Sequence, residues 1–137
     1  MSQVVLQESA PSAQAVSKNF EATWKRFQSV LSPHVPAVVL DAEGTIQHLT
    51  AAARRMLEYR HDQSINTCFF SHVHSRNQYQ VMRDIADMVC YGKAQATWLV
   101  RLKTGQGRWQ WVKANVKNRL NGPEAAITIT LRDLHET

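Results

Sequence analysis

Over residues 94–103 the sequence alternates with a period of two. Ala94, Ala96, Trp98, Val100 and Leu102 fall on one side, and Gln95, Thr97, Leu99, Arg101 and Lys103 on the other. Successive side chains of a strand point to opposite faces, so this run predicts a long strand with one face in a core. Thr104-Gly105-Gln106-Gly107 has the composition of a hairpin turn, and Arg108 to Asn118 read as the next strand. Asn121-Gly122-Pro123 make another turn before a last strand, Glu124 to Leu134, with Ala125, Ile127, Ile129 and Leu131 on one side. The final third of the chain is therefore expected to be an antiparallel meander.

The segments before it alternate between strand and helix signals. Residues 1–14 are polar and aperiodic, as expected of a tail. Phe20, Trp24, Phe27 and Leu31 are spaced four, three and four apart, which places them on one face of a helix from about Ala15 to Leu31. Ser32-Pro33 ends that helix, because a residue before proline avoids the α region. Pro36 to Asp41 is short, β-branched and apolar, and predicts a buried strand. A turn at Gly44 leads to a second strand, Thr45 to Leu49, and Thr50 is placed to cap a short helix, Ala51 to Tyr59. After an irregular stretch, Tyr79, Met82, Ile85, Ala86 and Val89 recur at helical spacing between Arg76 and Tyr91, with Gly92 as the stop. Helices gathered on one face of a single antiparallel sheet are an α+β plan. We divide the chain into a tail with an amphipathic helix, residues 1–33, and one domain, residues 34–137.

At 137 residues with 44% hydrophobic side chains, one core suffices without disulfide or metal support. Cys68 and Cys90 match no zinc or redox spacing and are expected to be free thiols in a reducing compartment. Cys68, in the apolar knot Cys68-Phe69-Phe70, is expected to be buried. The start has no basic, apolar leader and no run is long enough to span a bilayer, so the expected location is cytoplasmic, away from membrane. The net charge is +5, but the basic residues are dispersed and no helix-turn-helix or zinc-finger pattern accompanies them. Direct contact with nucleic acid is not expected.

Several stretches, in order, resemble the PAS domain family. VVLDAEGTIQHLTAAARRMLEY is similar to the family's opening hairpin, which leads into an N-x-A-x-x-x-L-x-G-Y pattern. Thr50 stands in the place of its asparagine, Ala52 matches its alanine, and Glu58 replaces the glycine before Tyr59. FFSHVHSRN resembles the stretch before the family's long helix, with Ser75 and Asn77 at its Pro and Asp positions. RLKTGQGRWQWVKANV resembles its R…dG…W-v hairpin, and ITITLRDLHE its closing strand. The resemblance spans about residues 34–135. It implies a five-stranded antiparallel sheet with helices on one face, preceded here by the N-terminal amphipathic helix.

The resemblance also implies an interior pocket, expected to be lined by Leu40, Met56, Leu57, Phe69, Met82, Ile85, Val100, Ile127 and Ile129, with Tyr59 and His74 as polar members. The cofactor is left unknown. Haem is disfavoured because the long helix carries no histidine, and flavin photochemistry because Asn66-Thr67-Cys68 displaces the cysteine by one residue. His61, His72 and His74 lack acidic or thiolate partners, so no metal is expected. No nucleophile with its base, phosphate loop or carboxylate pair stands out, and the chain is read as not an enzyme. Asp41 with His48 is the one pair an enzymatic alternative would use. The working expectation is a sensory module that binds a small ligand or a partner, forms a homodimer and relays to an output domain of a kinase or transcription regulator. Phe20, Trp24, Phe27 and Leu31, with Trp109 and Trp111, are the expected dimer face. The alternative is a ligand-free interaction domain whose core is plugged by Trp98, Phe69 and Phe70.

Overall fold

The computed structural model describes residues 31–134. The helix expected before Ser32, with Phe20, Trp24 and Phe27, lies outside those residues. Five strands form one antiparallel sheet: β1 Ala37–Leu40, β2 Ile46–Leu49, β3 Gln95–Lys103, β4 Trp109–Arg119 and β5 Ala126–Asp133. Their spatial order is β2-β1-β5-β4-β3. The expected meander is β3-β4-β5, and β1 joins it by pairing with β5. Between β2 and β3 run α1 (Ala51–Met56), a 3₁₀ turn (Phe69–His72) and α2 (Ser75–Tyr91).

The register separates two faces. Val38, Leu40, Trp98, Val100, Leu102, Val112, Ala114, Val116, Ile127, Ile129 and Leu131 point inward and form the main core with the helices. Alternate residues point outward. Most of β3 and β4 on that side is open, but near β1 a second small cluster of Leu31, Ala37, Val39 and Ala126 is buried on the outer face. This explains why β1 lacks alternation: it is covered on both sides.

A short connection closes the sheet into a curl. Ile46 donates to the Thr67 carbonyl and Phe69 to that of Gly44, beside edge strand β2. Four and five residues after Phe69, Val73 bridges Leu102 and His74 donates to the Arg101 carbonyl of the opposite edge, β3. Five flat strands would hold those edges about 19 Å apart. A segment containing a 3₁₀ turn advances about 2 Å per residue there and falls short of that distance. The edges therefore bend towards each other around the core. Gly44 fits this closure twice over: its φ is +81°, and a Cβ would lie 2.5 Å from the Phe70 ring.

α2 packs with a different face than its apolar spacing suggests. Val81, Asp84, Ile85 and Met88 are buried, whereas Tyr79, Met82 and Val89 are exposed. The cause is Asp84. Trp98 is wholly buried, and its indole N–H needs an acceptor, which Asp84 Oδ2 supplies at 2.8 Å. Lys93 Nζ, just past the helix, donates to Asp84 Oδ1 at 2.9 Å. Burial pushes the Asp84 carboxyl up, but the Lys93 and Trp98 hydrogen bonds and the charges of Lys93 and Arg83 outweigh it, leaving it below its ordinary 3.8.

Asp84→Ala is expected to lower stability by about 2–3 kcal/mol in urea unfolding at pH 7, since a buried donor loses its acceptor. The depressed folded pKa makes the Asp84 contribution complete above the unfolded value near 4 and lost as pH falls through the folded one. The stability gap between wild type and Asp84→Asn should therefore narrow below about pH 4. A gap unchanged from pH 7 to pH 3 contradicts this.

Candidate functional site

Most of the expected pocket is solid core. Leu40, Val100, Ile127 and Ile129 are fully buried, and Leu57, Phe69 and Ile85 nearly so. Met56 and Tyr59 pack partly buried against them. Trp98 sits among these residues with its ring stacked on Phe69, centroids 6.5 Å apart. Two expected members are elsewhere. Met82 is 49% exposed, because the Asp84–Trp98 bond turns α2 away from the rotation its apolar spacing implies. His74 caps α2, its Nδ1 accepting from the Arg76 N–H at 3.1 Å, and sets its ring edge-on against Trp109 at 4.8 Å. Partial desolvation, with Arg101 and Arg76 nearby, holds the His74 imidazole below its usual pKa.

An apolar cavity lies at the α1 end of the sheet. It measures about 20 Å³ and is lined by Val38, Ile46, Leu49, Leu57, Tyr59, Ile65, Phe69, His72, Leu102 and Lys103. That is little more than the space of one water. Its polar edge is Tyr59 with His72. His72 Nε2 lies 2.7 Å from the Asn66 carbonyl, so that nitrogen carries the proton and donates. Nδ1 is then unprotonated and lies 3.3 Å from the Tyr59 hydroxyl, whose one proton is donated to the Lys103 carbonyl at 3.0 Å. Burial raises the Tyr59 pKa, which keeps the phenol a donor. Residues of this shape and volume do not fit haem or flavin. Ile65 was not singled out in the sequence, and His72 was weighed only as a metal ligand, because both come from the irregular stretch, where no period places a side chain.

The polar residues around the site are engaged in holding the backbone. Thr50 Oγ1 accepts from the N–H groups of Ala37 and Ala53 and donates to the Val35 carbonyl, so the expected helix cap also anchors β1. Asp41 accepts from the N–H groups of Glu43 and Thr45 and from the Gln47 amide. Its carboxylate is used by the turn rather than paired with His48. Arg54 is half-buried and donates to the Arg60 and Gln63 carbonyls. Cys68, expected in the core, is exposed: it precedes the 3₁₀ turn, and Phe69 is the residue that turns inward. Among the described residues, no group of three or more His, Cys, Asp or Glu is placed to hold a metal ion. None of their helices is long and apolar enough to cross a membrane.

α1 ends sooner than expected, at Met56, because Glu58 is left-handed with φ +63°. Its carboxylate pairs with Arg108 across a polar groove that also contains Arg55, Thr104 and Asp133. The hairpin turn after β3 docks here: Gly105 donates to the Leu57 carbonyl at 2.8 Å. A Cβ on Gly105 would lie 2.3 Å from the Glu58 carbonyl oxygen, so no other residue permits this approach.

The outer face presents Trp109 and Trp111, 45% and 42% exposed. The β3–β4 register sets Lys103 opposite Trp109 and Arg101 opposite Trp111. The Arg101 guanidinium lies 4.5 Å from the Trp111 ring centroid and the Lys103 ammonium 5.8 Å from that of Trp109. Leu31, named with them as a dimer-face residue, is instead buried in the outer cluster beside β1.

A family described as "PAS fold" matches residues 30–137. Among curated proteins none matches the sequence. The PAS domain of an HTR-like protein from Haloarcula marismortui superposes with a TM-score of 0.59 at 17% identity, covering 88% of this chain and 99% of that one. The Rhodobacter sphaeroides LOV protein gives 0.64 at 15% identity, with 85% and 69% covered. The PAS domain of the Cronobacter turicensis RpfR quorum-sensing receptor, solved in complex with BDSF, gives 0.58 at 15% identity, with 77% and 98% covered. These likenesses establish the fold.

Two substitutions test the α1 end. Gly105→Ala is expected to cost about 1–3 kcal/mol by forcing backbone apart. Glu58→Gly is expected to be more stable than Glu58→Ala by about 1 kcal/mol, since both lose the ion pair but only glycine relieves the left-handed backbone. Equal melting temperatures for the two Glu58 variants contradict that reading.

Proposed function

The chain belongs to the PAS-fold family, and from that premise we propose that it is a signalling module acting through protein contacts, with its own side chains filling the interior. The observation that carries this is Trp98: fully buried, fixed by Asp84 and stacked on Phe69 where a PAS-like domain could otherwise be hollow. The apolar cavity beside Phe69, about 20 Å³, supports the same reading, being too small for an organic ligand in this packing. The surface supports it too. Two apolar areas are left open, the α2 stripe of Tyr79, Met82 and Val89 and the outer sheet face with Leu99, Trp109 and Trp111. Exposed apolar patches on a small domain mark sites of association. Association would bias the packing of elements at the domain's ends, and a joined output domain would respond to that shift.

A second reading rests on the Tyr59–His72 edge of the cavity. An elongated apolar molecule with one polar end could enter by displacing Phe69 or Ile65, with the Tyr59 hydroxyl and His72 Nδ1 meeting its polar end. The receptor domain from Cronobacter turicensis, solved with BDSF, makes a small ligand a natural competitor to test.

Native mass spectrometry of the purified protein, with an absorbance spectrum of the same sample, separates the two. Bare chains, without absorbance above about 350 nm, are expected. A retained small molecule overturns the filled-interior reading. Trp98→Ala is expected to cost about 3–5 kcal/mol and to open a dry cavity; a loss under 1 kcal/mol would mean the ring is not the core's central filler.

A further inference from the structure

The outward positions of the strands carry Arg101, Lys103, Lys113, Lys117, Arg119 and Arg132, and no Asp or Glu. These are six positive charges against a whole-chain net of +5, so the rest of the chain is close to neutral. The basic balance that looks dispersed along the sequence is gathered on one face by the alternation of β3, β4 and β5. The ion pairs formed among the described residues involve Arg60, Arg83, Lys93 and Arg108, none of them from this face. Between the cations stand Trp109, Trp111 and the 56% exposed Leu99.

We infer that the outer face of β3, β4 and β5 is a docking surface for an acidic amphipathic segment of a partner protein. Charge complementarity selects the occupant. A second copy placed face to face would bring the same cations within about 10 Å of these, close to one Debye length, and repel. Residues 1–30 of this chain carry Lys18, Lys25 and Arg26 against Glu8 and Glu21, so they offer no negative surplus. Single-stranded nucleic acid needs open aromatic rings for base stacking. Here Arg101 covers Trp111, while Lys103 and His74 flank Trp109. An acidic helix has neither difficulty. Its carboxylates meet the cations, and its apolar side chains meet Leu99 and the indole edges, a pairing of Trp and Arg typical of binding hot spots.

This inference rests on the interaction reading above, and its test separates the two. The full chain, ¹⁵N-labelled, is titrated with a synthetic helical peptide of glutamate and leucine in heptad order, and separately with an oligothymidylate. The peptide is expected to shift the Trp109 and Trp111 indole signals and the amides of 99–103 and 109–117. Binding should weaken at least about tenfold in the double variant Lys113→Glu, Arg132→Glu, whose side chains are register neighbours on the surface. Shifts confined to Tyr79, Met82 and Val89 would overturn this face while leaving the interaction reading intact. Tighter binding of the oligothymidylate to the face, protection of both indoles in a dimer of bare chains, or no shifts would each overturn the inference. A ligand retained in the interior would sink the interaction reading without touching the charge pattern of the face.

Discussion

The hydrogen bond from the Trp98 indole to Asp84 organises the interior of this domain. A tryptophan buried on the inner face of edge strand β3 requires an acceptor, and the acceptor must come from whatever packs above it. Here that is α2, and the requirement fixes the helix's rotation. Lys93 compensates the carboxylate at the point where the chain leaves the helix and turns towards β3. One bond therefore sets three things: which α2 side chains enter the core, which are left outside, and how much space remains beneath the helix.

The second constraint is the curl of the sheet. The stretch from Thr67 to His74 bonds to both edge regions, so the two sides of the sheet cannot separate without breaking it. Thr50, Gly44 and Gly105 are the close approaches that let the surrounding loops follow this curve. Glu58 keeps a left-handed backbone that a glycine would adopt freely, and its ion pair with Arg108 lies across the same junction.

The order of elements along the chain, the turns, the Thr50 cap and an α+β plan were readable from alternation and turn chemistry, and the five-stranded sheet followed from the family resemblance; the pairing of β1 with β5 was not foreseen. What escaped was decided by contacts distant in sequence. The rotation of α2 follows Asp84, a charged residue that an apolar-stripe reading assigns to solvent. The end of α1 follows a positive φ at a glutamate, which composition does not reveal. Ala125 has φ +52° and lies outside β5, so the strand starts later than the Glu124 expected from the turn. The basic face was invisible along the chain because its cations come from three strands, and only the register of β3, β4 and β5 brings them together.

The proposed function has a domain with a filled interior convey information through its surface, and Trp98 is the residue on which that proposal depends. The direct measurement is hydrogen exchange of the tryptophan indole N–H groups in the ¹⁵N-labelled full chain. Trp98 should exchange only with global unfolding, while Trp109 and Trp111 exchange rapidly. Exchange of the Trp98 indole at the rate of the other two would mean that the ring leaves the core readily, and would contradict the account of a permanently occupied interior.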